Sequence, residues 1–133
     1  MKTYILTFCA ALMLTFFSCN QLASQDGYSD LDAQAFNKAV AEDSMLLIDV
    51  RTPKEFEAGH LKNALNIDFL ADDFAENIKK LNSEKPVYIY CRSGKRSKKS
   101  VEIFQKAGFT QIYNLDSGFL GWKSENLPIV FED

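Results

Sequence analysis

From residue 28 onward the chain switches repeatedly between short unbroken apolar runs and apolar residues three or four apart. Met45–Val50 (MLLIDV) and Val87–Tyr90 (VYIY) are runs of the kind that strands covered on both faces require. Phe36 and Val40, four apart after the N-capping residue Asp32, predict one helix; Phe74, Ile78 and Leu81, at spacings of four and three, predict another. Thr52-Pro53-Lys54-Glu55 reads as a capping box with proline at the first helical position, opening a short helix that stops at Gly59. Weaker strand patterns lie near Tyr28 and at Ala64–Ile67, and Ser83–Pro86 is a turn. Beyond Cys91, Ser97 is suited to cap a helix carrying Val101, Phe104 and Ala107, closed by Gly108. Gln111–Leu115 predicts the last strand and Asp116-Ser117-Gly118 a turn. Phe119–Glu125 predicts a short helix bearing Trp122, and the tail Ile129–Phe131 is expected to pack back on the domain. Alternating strands and helices predict an α/β fold with a mainly parallel sheet.

The first residues follow a different pattern. Lys2 precedes an uncharged, mostly apolar run from Tyr4 to Phe17, short for a membrane span of about 20 residues and right for a secretory leader. It ends in Phe-Phe-Ser-Cys, which resembles the lipobox of bacterial lipoproteins, although Phe16 and Phe17 depart from it. Residues 1–18 are therefore read as a lipoprotein-type signal peptide, Cys19 as the lipidated residue and 19–27 as a polar tether. Ordinary cleavage and an uncleaved anchor are the alternatives. Residues 28–133 form one domain, and the expected location is the cell envelope, exported and held to a bacterial membrane through the lipid.

The 133 residues suffice for one real core, with 47% hydrophobic and 25% charged residues. A formal net charge of −3 argues against a general nucleic-acid binder. Of three cysteines, Cys9 would leave with the leader and Cys19 would be capped by lipid, so Cys91 stands alone in the mature domain and no internal disulfide can form. With one histidine and one mature thiol, no zinc-type ligand set can be assembled, and no glycine-rich nucleotide motif is present.

Basic residues concentrate just after Cys91: Arg92, Lys95, Arg96, Lys98 and Lys99. Parallel sheets bind ligands beyond the carboxyl ends of their strands, and Cys91 sits at such an end. The following helix start offers unpaired N–H groups, and Gly94 lets the loop turn its amides inward as an anion-binding nest. A thiol in that field is expected to ionise readily and to act as a nucleophile without a separate base. The binding residues expected are Arg92, Ser93, Gly94, Lys95 and Arg96, while Lys98 and Lys99 read as a solvated helix face. His60, the single histidine, reads as structural, and Asp49 with Arg51 as a paired support for neighbouring loops.

Three stretches carry a family resemblance. CRSGKRS resembles the active-site loop of rhodanese-like sulfurtransferases, LIDVRTPKEFEAGHLKNALNI looks like the family's first motif, and YNLDSGFLGWKSENLPI like its C-terminal one. The likeness covers residues 28 to 131. It implies a rhodanese-like fold, a central parallel sheet with helices on both faces. It also implies transfer of sulfane sulfur, from a small anionic donor such as thiosulfate to cyanide or a thiol, through a persulfide on Cys91, with no cofactor. Asn63 and Ser117 stand where the family often has glycine; asparagine tolerates positive φ, so the first change is expected to be cheap. Four residues separate Cys91 from Arg96, where related phosphatases and arsenate reductases have five, which ranks those activities below sulfur transfer. A sulfur-carrying or partner-binding module for another envelope protein, and a redox-sensing thiol, are the other readings.

Overall fold

A computed structural model describes residues 27–42 and 44–132. The proposed leader, the lipidation site Cys19 and the tether up to residue 26 lie outside the described residues. Five strands, β1 (Tyr28–Leu31), β2 (Leu46–Asp49), β3 (Leu65–Asn66), β4 (Val87–Tyr90) and β5 (Ile112–Leu115), form one sheet in the order β1-β5-β4-β2-β3. Every pairing is parallel, with Ile48 opposite Ile89 and Ile89 opposite Asn114. The helices are α1 (Ala33–Val40), α2 (Pro53–Glu57), α3 (Phe74–Lys79), α4 (Lys95–Lys106) and α5 (Gly118–Ser124).

The strand period of two splits the core. Ile48, Val50, Val87, Ile89, Cys91 and Ile112 pack with Phe74 and Ile78 of α3 and Val101 and Phe104 of α4. Leu47, Tyr90 and Leu115 pack on the other face with Ala33 and Phe36 of α1 and Phe119 and Trp122 of α5. Both faces are covered, which is why the central strands read as unbroken apolar runs. Each fully buried aliphatic or phenyl side chain contributes about 1.5–3 kcal/mol.

Local signals act as expected at several ends. Asp32 Oδ1 accepts from the Ala35 N–H at 2.8 Å, and the Thr52–Glu55 capping box is complete in both directions. Asn63 sits at φ +66°, the left-handed conformation anticipated for it, whereas Ser117 has φ −82° and needs no glycine; Gly118 takes the positive φ instead. The tail does return, through an antiparallel bridge between His60 and Val130. Several boundaries differ from the sequence reading by a residue or two, and at two helix starts the difference matters. Helix α4 begins at Lys95 with Gly94 as its cap, so Ser97 is an interior residue and caps nothing. Helix α5 begins at Gly118, one residue early.

Chain order and sheet order together place the site. From β2 the chain passes outward to β3, and from β4 it passes the other way to β5. The carboxyl ends of adjacent β2 and β4 therefore open at a topological switch point, where a crevice forms.

Candidate active site

Cys91 is the first residue past β4 and continues the alternation of Val87 and Ile89, so its side chain points toward α3 and α4 and is 1% exposed. The loop Arg92–Gly94 then curls around the sulfur. The Gly94 N–H donates to Sγ at 3.1 Å, and the Ser97 hydroxyl reaches it at 3.4 Å while also lying 3.2 Å from the Gly94 carbonyl. Burial opposes ionisation of Cys91. The Ser97 hydroxyl and the N–H groups of Ser97, Ser93 and Gly94 outweigh it and hold the thiol below its ordinary value. Neutral donors therefore do the work that the sequence reading shared between the loop amides and its cations.

The loop has amides to spare because its carbonyls are held elsewhere. The Phe119 N–H donates to the Cys91 carbonyl at 2.8 Å and the Leu120 N–H to the Arg92 carbonyl at 3.0 Å, both from the first turn of α5. This contact demands glycine twice. A Cβ on Gly94, at φ +89°, would stand 2.1 Å from the Asp116 carbonyl oxygen, and one on Gly118, at φ +62°, would stand 2.5 Å from the Arg92 carbonyl oxygen.

A buried ion pair braces α5 from beneath. Arg51 donates through Nε and Nη2 to both Asp49 carboxylate oxygens, Nη2 reaching Oδ2 at 2.7 Å, and also to the Gly59 carbonyl at 2.7 Å. Its guanidinium lies 4.0 Å from the centre of the Phe119 ring. Asp49 and Arg51 are thus the loop support anticipated for them. His60 is buried against the tail: its ring stacks on Phe56 at 3.7 Å and Nδ1 lies 3.0 Å from the Phe56 carbonyl.

The other expected binding residues occupy different positions. Arg92, Ser93 and Lys95 are exposed on the rim, where two cations raise the local positive potential. Arg96 is half-buried, and its fork is taken by Glu55: Nη1 donates to Oε2 at 2.9 Å and Nη2 to Oε1 at 2.8 Å. The Arg96 hydrogen bonds hold the Glu55 carboxyl at about 2, helped by the Thr52 N–H and hydroxyl against the opposing effect of burial. Lys98 and Lys99 are exposed, Lys98 standing 3.7 Å from Asp30. Ser97 and Glu55 are the site residues that sequence reasoning passed over. Ser97 could have been found, since with Val101 and Phe104 it shares a stripe at spacings of four and three that faces the core. Two depressions, of about 610 and 440 Å³, are lined by no residue of the loop. Among the described residues no group of three or more His, Cys, Asp or Glu side chains could hold a metal ion.

The profile of the rhodanese-like domain family matches residues 32–125. The chain belongs to the rhodanese-like domain family. Its α/β architecture, a five-stranded parallel sheet between helices, is the rhodanese-like fold. A rhodanese-related protein of Thermoplasma volcanium superposes with a TM-score of 0.70 at 28% identity, covering 79% of this chain and all of that one. Among curated relatives, the uncharacterized protein YqhL of Bacillus subtilis is 42% identical over 76 residues, 57% of this chain and 59% of that protein. The match thus spans less than two thirds of that relative. Thiosulfate sulfurtransferase GlpE of Vibrio cholerae is 27% identical over 104 residues, 78% of this chain and 96% of that enzyme.

Proposed function

We propose that this rhodanese-like domain is a sulfurtransferase whose nucleophile is Cys91. The observation that carries the reading is the pair of hydrogen bonds on Sγ, from the Gly94 N–H and the Ser97 hydroxyl, which with the Ser93 and Ser97 N–H groups favours the thiolate without a general base. In the first step the thiolate attacks the sulfane sulfur of a donor such as thiosulfate. A bond forms between that sulfur and Sγ, the donor's own S–S bond breaks, and sulfite leaves with the electron pair. In the second step cyanide or a thiolate attacks the outer sulfur, and the Cys91 thiolate departs. The inward amides suit a thiolate and a persulfide anion alike, and Arg92 and Lys95 on the rim draw an anionic donor to the mouth. The similarity to an enzyme named thiosulfate sulfurtransferase supports the choice of donor.

Purified chain from residue 24 onward should release thiocyanate from thiosulfate and cyanide, and Cys91→Ser should fold normally and release none. Retained turnover in that variant removes Cys91 from the role.

The proposal includes export and lipidation at Cys19. The chain enters the domain at Gly27, packed against Thr110 at the amino ends of the strands, whereas Cys91 lies at their carboxyl ends. An anchor on that side leaves the loop open to donors and acceptors outside the bilayer. Cys19→Ser should move the protein from the membrane to the soluble fraction; unchanged membrane retention would exclude a lipid on this residue.

A further inference from the structure

Glu55 does more than cap a helix. Its carboxylate accepts from both Nη atoms of Arg96 at 2.9 and 2.8 Å and from the Thr52 N–H and hydroxyl, both at 3.0 Å. Three of these contacts fall on Oε2 and one on Oε1, so both carboxylate oxygens are engaged. The two partners come from opposite arms of the crevice, Glu55 on α2 after β2 and Arg96 on α4 after β4. Arg96 is the cation of the loop best placed to act on the sulfur: it is half-buried, occupies the second position of α4, and feels the charges of Cys91 and Asp49 as well as that of Glu55. A bidentate pair with a carboxylate spends the same planar fork that would otherwise grip a tetrahedral oxyanion.

We propose that Glu55 is a positioning residue that withholds the Arg96 guanidinium from the Cys91 loop. The sulfur is then held by neutral donors, and the site favours sulfane sulfur over tetrahedral oxyanions. The physical consequence is twofold. An unpaired Arg96 would stabilise the thiolate further, and a thiolate of lower basicity is a weaker nucleophile. It would also offer phosphate-like anions a charged fork beside the amide ring. The biological meaning of this device rests on the sulfurtransferase reading, but its test does not.

The experiment compares Glu55→Gln, Arg96→Gln and the double variant. Glutamine preserves the capping box, so α2 keeps its start. The rate of Cys91 alkylation by iodoacetamide is followed against pH, with and without inorganic phosphate. In Glu55→Gln the thiolate-to-thiol ratio at a given acidic pH should rise roughly fivefold, the size expected of one part-exposed charge, and phosphate should protect at a correspondingly lower concentration. In Arg96→Gln the ratio should fall, because Glu55 is left as the nearest uncompensated charge. The double variant should return close to the parent. Opposite signs for the two halves of one pair cannot come from loosened packing alone. If Glu55→Gln leaves the ratio unchanged or lowers it, or if both single variants move it the same way, the proposal is overturned. Absence of thiosulfate turnover in the parent would instead sink the sulfurtransferase reading and leave these titrations standing.

Discussion

Removing the Ser97 hydroxyl isolates one donor on the Cys91 sulfur. Ser97 is fully buried, and the small space left by Ser97→Ala is too small to admit a water in its place. A hydrogen bond to a charged group is worth about 1.5–3 kcal/mol. The Oγ–Sγ separation of 3.4 Å and the competing Gly94 carbonyl at 3.2 Å place this one at the lower end, about 1.5 kcal/mol. Because about 1.4 kcal/mol is a factor of ten, the thiolate-to-thiol ratio should fall about tenfold at neutral pH. The assay is the rate of alkylation by iodoacetamide against pH: the midpoint should move up while the alkaline plateau holds or rises by a small factor, as the more basic thiolate is the better nucleophile. Stability supplies a second readout with a fixed sign. A thiol held below its unfolded value stabilises the fold above about pH 8.5, and this contribution is lost as pH falls through the folded-state value. Ser97→Ala should therefore lie furthest below the parent in alkaline urea titrations and approach it in acid. An unmoved midpoint, or a lower rate at every pH including the plateau, would show that Ser97 controls access rather than ionisation.

Two further perturbations address the frame around the loop. Asp49→Asn leaves the Arg51 guanidinium, 3% exposed, without its counter-charge, and should cost about 3–5 kcal/mol in urea unfolding; a loss below about 1 kcal/mol would mean that the pair is not what braces this region. Gly118→Ala forces a Cβ to 2.5 Å from the Arg92 carbonyl and a strained φ of +62°, so the α5 contact must shift and Cys91 alkylation at neutral pH should slow by about an order of magnitude, since every donor on the sulfur depends on that loop shape. Unchanged alkylation in a folded Gly118→Ala protein would separate the α5 contact from the chemistry.

What could be read from the sequence is what local physics controls. The runs at Met45–Val50 and Val87–Tyr90, the helical stripes and the capping box all rest on short-range periodicity, and the structure follows them. The same rules put Cys91 at a strand end facing a helix start. Serine favours the cap position, so Ser97 reads as a cap from local pattern alone. The left-handed turn at Gly94 starts the helix earlier and leaves Ser97 to face the sulfur instead. The remaining features depend on residues far apart in the chain. Glu55 was legible as half of a capping box, but its pairing with Arg96 exists only after α2 and α4 are brought to the same crevice. The brace of Arg51 on Phe119 and the bond from the Phe119 N–H to the Cys91 carbonyl likewise join separate motifs, and no local pattern announces them.

Mass spectrometry of the intact chain after incubation with thiosulfate tests the proposed sulfurtransferase role most directly. One added sulfur is expected, located on Cys91 by peptide mapping and removed by cyanide. Turnover of thiosulfate with Cys91 remaining unmodified, or an unmodified and inert protein, would contradict it.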